Sequence, residues 1–407
     1  MTITVRNERN CQKMPTLHEI FHRFPKEFPL PMLLDGSTGT SLMREGMPTG
    51  ACPESWVLEH PDIIKKIQRG YVDAGSDALY TPTFGANSPT LRRNHLDGAD
   101  RLNRELAALT VGRARLTGGD MSPTGLFIEP FGDATFDEVV GIYAEQASAL
   151  DASGVDFFIV ETNISLQEVR AAVTGIKQVS SKPVFVTMTV DDHGRTLSGD
   201  RLDCCLVALS ELSISAFGTN CSQGPDKMLE LLRSLVQLSV SLGIPLIAKP
   251  NAGMPHEAPD GSRHFDLDAE SFAKYAPEFL ASGIYILGGC CGTDDEYIAR
   301  LRTAIDGFEP TGDLPAPLDT AALACTNRTL VTVDTGALGE PLLADDDLAD
   351  AEPDDDWLYV SIPDADAADC FIEYAPTLPY PCVVTGDKTE IERVKRLYNG
   401  RLVVITG

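Results

Sequence analysis

Apolar positions follow two alternating patterns between Met32 and Ile305. Short runs of consecutive apolar residues are typical of strands buried on both faces. They alternate with longer segments whose apolar residues recur at helical spacing. Eight strand-like runs are present, namely PMLLD, DALYT, TGLFI, DFFIVE, PVFVTMTV, SAFGTN, IPLIAK and IYILGGC. Each precedes a candidate helix, so the pattern predicts an α/β protein built on a (β/α)8 TIM barrel, with a doubly wound open sheet as the alternative.

The same pattern divides the 407-residue chain into four segments. The barrel is predicted over 30–308, after an N-terminal segment at 1–29. Residues 309–356 are rich in proline and in acidic residues, which is typical of a solvated linker. Residues 357–407 again alternate apolar runs with a helical pattern, and they predict a small C-terminal α/β extension to which the sequence assigns no role.

Charge and cysteine content narrow the classes of function. The formal net charge is −27, which argues against nucleic acids and anionic membranes as partners because both repel an acidic surface. No apolar run approaches the roughly 18 residues of a membrane span, and the N-terminus carries no signal-peptide core. We therefore expect a cytoplasmic protein. Its ten cysteines should then be reduced thiols, which favours metal binding or catalysis over disulfides.

Chemically capable side chains gather where the predicted strands end, which is where TIM barrels place their active sites. Strand one ends in Asp35, strand four in Glu161, strand six in Asn220 and Cys221, and strand eight in the adjacent Cys290 and Cys291. Glycines on both sides of the cysteine pair allow a turn in which both thiols face one point. Three thiolates suit zinc and leave a fourth position open, as in catalytic sites. The alternative is that these cysteines pack as small apolar residues.

Three other motifs are predicted to be structural. Cys204–Cys205 lie in a helical pattern without glycines, so we expect them to pack in the core. His18–His22 match the H-E-x-x-H pattern of zinc proteases, but Pro25 follows so closely that only a short surface helix capped by Thr16 is predicted. The stretch that begins at Thr293 matches a capping box for the last barrel helix.

Taken together, the motifs LLDGSTGT, PTGLFIEPFGDATFDE, VETN, FGTNCSQGP, KPNAGMP and LGGCCGT resemble the homocysteine S-methyltransferase family. They are most similar to the homocysteine-binding barrel of cobalamin-dependent methionine synthases, over roughly residues 30–306. The resemblance implies a zinc-dependent enzyme that methylates homocysteine to give methionine. It also implies that Cys221, Cys290 and Cys291 bind zinc and that the homocysteine thiol becomes the fourth ligand.

The resemblance further implies how the substrate is held. Its amino group would contact Asp35 and Glu161. Its carboxylate would meet backbone amides of the first loop, at Gly36, Ser37 and Thr38. No catalytic residue is expected beyond the zinc site.

The methyl donor is expected on another molecule. About 100 residues follow the predicted barrel, whereas a second barrel takes about 250, and none of the seven histidines lies beyond His264. A separate methylated corrinoid protein is the predicted donor, so that cobalamin would act only on a partner. Two alternatives stay open: the same barrel could methylate another thiol or selenol, or it could be a non-catalytic docking partner of a corrinoid protein.

Overall fold

A computed structural model describes residues 15–221, 223–257, 263–309, 314–353 and 356–405. Its centre is a sheet of eight parallel strands in the order β1-β8-β7-β6-β5-β4-β3-β2, which confirms the predicted TIM barrel. The strands are β1 (Met32–Leu33), β2 (Ala78–Tyr80), β3 (Leu116–Met121), β4 (Phe157–Asn163), β5 (Val184–Met188), β6 (Ala216–Asn220), β7 (Leu246–Lys249) and β8 (Ile286–Leu287). A short antiparallel hairpin, Pro255–Glu257 with Arg263–Phe265, lies between β7 and β8.

Helices surround the barrel and cover the apolar outer face of the sheet. Those before and within it are α1 (Leu17–Ile20), α2 (Thr38–Arg44), α3 (Pro53–Glu59), α4 (Pro61–Asp73), α5 (Ser88–Arg93), α6 (Ala99–Ala107), α7 (Phe136–Ser153), α8 (Leu166–Val179), α9 (Leu202–Ser210), α10 (Pro225–Arg233), α11 (Val236–Leu242), α12 (Ala269–Ala273), α13 (Ala276–Ala281) and α14 (Asp295–Ile305). Among the described residues, no helix combines the length and the apolar character needed to cross a membrane.

Two aspartates close the barrel between its first and second strands. The backbone N–H of Leu33 donates to Asp77 Oδ2 over 2.8 Å, and the N–H of Asp77 donates to Leu33 O over 2.7 Å. Arg302 holds the Asp77 carboxylate from outside, with Nη2 at 2.8 Å from Oδ2. Nearer the mouth, the N–H of Tyr80 donates to Asp35 Oδ2 over 2.7 Å. The position of Asp35 is therefore fixed by closure of the sheet itself.

The third strand differs from its prediction. It was expected at residues 124–128, but it is formed by the sequence LTGGDM of β3, and residues 124–128 lie in the loop that follows. Because β3 contains two adjacent glycines, its sequence does not form a run of apolar residues. A Cβ at Gly118 would lie 2.7 Å from the Phe157 ring and 3.1 Å from the Tyr80 ring, so the close packing of three strands requires a residue without a side chain. Asp120 therefore lies on a barrel strand.

The three motifs predicted to be structural have mixed outcomes. Thr16 caps α1 with a full capping box, and α1 ends before His22, so the two histidines do not share a helix face. Cys204–Cys205 are fully buried in α9, as predicted. The capping box at Thr293 is wrong, because Asp294 is the N-cap of α14 and Thr293 has another set of partners.

The predicted C-terminal α/β extension is confirmed and packs against the barrel. It contains a hairpin of β9 (Leu323–Cys325) and β10 (Leu330–Thr332), then a parallel sheet in the order β11 (Leu342–Leu343), β12 (Leu358–Ile362), β13 (Cys382–Gly386), β14 (Val403–Val404), with α15 (Ala365–Tyr374) and α16 (Lys388–Leu397). Arg170 of α8 anchors it: Nη2 donates to Lys395 O over 2.7 Å and Nη1 to Gly400 O over 3.3 Å.

Replacing Gly118 with alanine should lower the free energy of unfolding by about 1–3 kcal/mol, because the new methyl group would overpack the Phe157 and Tyr80 rings. Gly141 in α7 is the matched control. A Cβ there meets nothing within 4 Å, so Gly141→Ala should raise stability by about 0.4–1 kcal/mol. Urea unfolding followed by circular dichroism measures both. Equal stability of Gly118→Ala and the parent chain would contradict the packing argument.

Candidate active site

Three cysteine thiols meet at the carboxyl ends of the barrel strands. Cys221 directly follows β6, and Cys290 and Cys291 follow β8 after two glycines. Their Sγ atoms all lie within 4.8 Å of one another, and those of Cys221 and Cys291 are 3.8 Å apart. Within the described part of the chain, this is the single group of three or more cysteine, histidine or carboxylate side chains close enough to share a metal ion.

A turn lets the two adjacent cysteines face the same point. Gly292 has a φ of +87°, a conformation that costs glycine nothing. The backbone N–H of Cys290 donates to Pro250 O over 2.8 Å, and Thr293 Oγ1 donates to Cys290 O over 2.7 Å. Thr293 therefore fixes the cysteine turn rather than capping a helix.

Asn220 connects the cysteines to the end of β4. Its fully buried side chain accepts from the N–H of Thr162 over 2.9 Å and donates to Thr162 Oγ1, Glu161 Oε2 and Cys290 Sγ over 2.8, 3.3 and 3.9 Å. Thr162 and Cys221 both have a positive φ, near +60°, which is uncommon outside glycine. Such strained backbone persists only where its surroundings hold it, and Asn220 supplies that support.

A buried lysine lies between the two predicted substrate carboxylates. Lys249 Nζ is 3.2 Å from Asp35 Oδ1 and 3.9 Å from Glu161 Oε2. It also lies 3.7 Å from the centre of the Tyr80 ring, in a cation–π arrangement. Its side chain is only 3% exposed. The structure thus brings Asp35 and Glu161 together, but around a cation that belongs to the chain itself.

Burial and charge oppose each other in this group. Burial raises the pKa of Asp35 and of Glu161, while the Lys249 ammonium draws both back down. For Lys249, burial alone would lower the pKa, but Tyr80, Asp35 and Glu161 outweigh it and raise the pKa well above its usual value. Lys249 is therefore charged at neutral pH, and the group is held as a buried ion pair.

The predicted backbone contacts lie at the start of α2. Ser37 is its N-cap, and Ser37 Oγ accepts from the N–H of Thr40 over 3.1 Å. The N–H of Ser37 donates to Thr293 Oγ1 over 3.3 Å, which links this turn to the cysteines. A Cβ at Gly36 would lie within 3 Å of Tyr71. Gly36, Ser37 and Thr38 are thus at the barrel mouth, and their contact with a substrate stays a prediction.

A family model with the description "Homocysteine S-methyltransferase" matches residues 32–305, the whole barrel. The chain belongs to this family. The resemblance noted in the sequence is confirmed, and the match ends where α14 ends, before the extension.

Relatives in the family support the assignment. The chain is 31% identical over 311 residues to methionine synthase of Mycobacterium leprae, and 31% identical over 301 residues to that of Mycobacterium tuberculosis. These alignments cover 69% and 67% of this chain but 25% and 24% of the relatives, so the chain spans about a quarter of their length. The crystal structure of the homocysteine methyltransferase MmuM from Escherichia coli, oxidized form, has the same fold. The TM-score is 0.57 at 21% identity, over 67% of this chain and 95% of that one.

Several residues that shape the site were not assigned a role from the sequence. Lys249 ends a strand-like run, where a lysine is usually solvated, and only its neighbours across the barrel reveal its role. Asp120 was assigned to no strand because β3 was misplaced. Asn220 was seen at a strand end but given no function, although its amide can both accept from the Thr162 N–H and donate to Cys290 Sγ.

Replacing Lys249 with methionine should lower the free energy of unfolding by about 3–5 kcal/mol, since Asp35 and Glu161 would stay buried without their cation. Lys66→Met is the control. Lys66 pairs with Glu45 at the surface over 2.8 Å, and loss of such a pair costs less than about 1 kcal/mol. Urea unfolding at neutral pH compares the two. A Lys249→Met chain as stable as Lys66→Met would show that the buried pair does not hold the site.

Proposed function

We propose that this chain transfers a methyl group to the sulfur of homocysteine, giving methionine, and that it holds zinc through Cys221, Cys290 and Cys291. The observation that carries the proposal is the meeting of three thiols at the mouth of a barrel of this family. Tetrahedral zinc with Zn–S distances of about 2.3 Å places neighbouring sulfurs roughly 3.8 Å apart, and the Cys221 and Cys291 sulfurs are 3.8 Å apart. The donor set therefore fits zinc.

The chemistry needed is activation of a thiol. A free thiol has a pKa near 8.5, so only a few per cent is thiolate at neutral pH. Zinc held by these cysteines would supply the positive charge that keeps a coordinated thiol deprotonated, and three protein ligands would leave one position for the substrate thiol. Asn220 orients Cys290 through its amide. Asp35 and Glu161 are proposed to bind the substrate ammonium, and the amides of the α2 turn its carboxylate.

Zinc should bind at about one ion per chain. The Cys290→Ala and Cys291→Ala chains, like Cys221→Ala, should each lose it, because two thiolates no longer retain the ion during dialysis against a weak chelator. Cys204→Ala is the control: it removes a buried cysteine from α9, outside the site. Metal content by atomic emission, with circular dichroism to verify folding, measures this. Full zinc content in Cys291→Ala would refute the ligand assignment.

We also propose that the methyl group arrives on a separate methylated corrinoid protein. Support comes from the apolar rim, which we define as the large exposed apolar side chains on segments that follow barrel strands: Met43, Phe84, Phe127, Phe131, Leu197 and Met254. Contiguous exposed apolar surface can mark a protein interaction site, which would suit a protein-bound donor. Phe127, Phe131 and Leu197 also line a cleft of about 1410 Å³ beside the C-terminal extension.

A panel of donors tests this: a methylated corrinoid protein, free methylcobalamin, methyltetrahydrofolate, betaine and S-methylmethionine. Methionine should form with the corrinoid protein, and more slowly with free methylcobalamin. Phe131→Ser removes a side chain that is 71% exposed. It should slow transfer from the protein-bound donor roughly tenfold, as loss of an interface anchor does, and leave transfer from free methylcobalamin unchanged.

Leu342→Ser is the matched control, since Leu342 is exposed on the sheet of the extension rather than on a barrel loop. Turnover with methyltetrahydrofolate, betaine or S-methylmethionine alone would contradict the corrinoid donor. Methylation of another thiol or selenol in preference to homocysteine would show that homocysteine is not the substrate. Retention of zinc and corrinoid-protein binding without any methyl transfer would favour the non-catalytic docking role.

A further inference from the structure

The site contains more buried carboxyl groups than buried cations. Asp35, Glu161 and Asp120 are all buried carboxyl groups at this end of the barrel, and Lys249 is the one buried cation that the structure describes beside them. Lys249 contacts Asp35 and Glu161. Asp120 is 6% exposed, and its Oδ1 has no hydrogen-bond partner among the described residues. An unpartnered buried carboxylate oxygen is costly, so this atom needs an explanation.

The strand geometry places Asp120 inside the barrel. A side chain at Gly118 would point at the Tyr80 and Phe157 rings, and the Tyr80 ring carries Lys249 on its face. Successive strand residues alternate in direction, so Asp120 faces the same interior as Gly118, one step nearer the mouth. Its backbone is fixed as well, because its N–H donates to Thr81 Oγ1 over 3.0 Å.

Asp120 is also part of the electrostatic group around the predicted ammonium site. Burial and the neighbouring Glu161 charge raise the pKa of Asp120 well above its usual value, and Lys249 opposes them. Since Lys249 already offsets one of the negative charges of Asp35 and Glu161, a substrate cation would meet a weakened pair. An ammonium group bound beside Asp120 would favour the charged form of this carboxyl group, so Asp120 can supply a further negative charge and a hydrogen-bond acceptor when the substrate binds.

We propose that Asp120 is a further substrate-binding residue, whose free carboxylate oxygen accepts a hydrogen bond from the ammonium group of an amino-acid thiol. The inference rests on the proposed function and deepens it. The ammonium is then held by Asp120 together with Asp35 and Glu161, which both also contact Lys249. The three carboxylates and the lysine then select thiols that carry an α-amino group over thiols that lack one.

Calorimetric titration of the zinc-loaded protein tests the assignment with two ligands, L-homocysteine and 4-sulfanylbutanoic acid, which has the same chain without the amine. Asp120→Asn keeps the shape and removes the charge. It should weaken homocysteine binding roughly 10- to 100-fold, the effect of one charge-assisted hydrogen bond, and leave binding of the amine-free thiol unchanged. Glu161→Gln should give the same pattern.

Glu168→Gln is the matched control. Glu168 is a buried carboxylate of α8 whose Oε1 accepts from Thr124, outside the site, so its loss should change neither affinity. Thermal unfolding verifies each fold, and Asp120→Ser serves as a second variant should the amide disturb packing. Equal weakening of both ligands, or none, in the Asp120 variants would overturn the inference while homocysteine binding by the parent chain left the proposed function standing. A parent chain that binds neither thiol would overturn both.

Discussion

The buried contact between Lys249 and Asp35 connects the parts of this molecule that matter for chemistry. Asp35 also accepts the Tyr80 N–H that closes the barrel, and the carbonyl of Lys249 accepts from the N–H of Cys221 over 3.2 Å. Lys249 thus contacts the carboxylates through its side chain and the backbone of Cys221 through its carbonyl, while Asp35 takes part in barrel closure. Buried pairs are stable only when their geometry is good and their remaining polar groups are satisfied. The neighbouring Glu161 and the Tyr80 ring meet much of that condition.

Around this pair, the backbone is held in conformations that a chain rarely adopts without help. Thr162 and Cys221 have left-handed φ values, and Asn220 contacts both the Thr162 backbone and the thiol of Cys290. Thr293 does the same for the cysteine turn. Strain of this kind is found where side chains must be aimed rather than merely packed. Hydrogen bonds of Asn220 and Thr293 therefore support the backbone that presents the cysteines.

Much of this could be predicted from the sequence, and the failures have physical causes. Seven strands matched apolar runs because both faces of a barrel strand are buried. The remaining strand, β3, was misplaced because its two glycines leave no apolar signal: Gly118 packs closely against the Phe157 and Tyr80 rings, and Gly119 packs against Leu150. Asp120 was therefore not assigned to a strand. The cysteines were found because two adjacent thiols between glycines are unusual. Lys249 was not found, because a sequence does not say which carboxylates face a lysine across a barrel.

The contact between Arg170 and the extension has a consequence for how such a chain can change over evolution. The guanidinium is buried in the barrel's own helix α8, yet two of its hydrogen-bond acceptors, the carbonyls of Lys395 and Gly400, belong to the extension. Cys325 likewise donates its thiol to the carbonyl of Cys204. If the extension were deleted, the buried Arg170 guanidinium would lose both of these acceptors. Because both acceptors are backbone carbonyls, the extension can diverge in sequence more readily than it can be deleted.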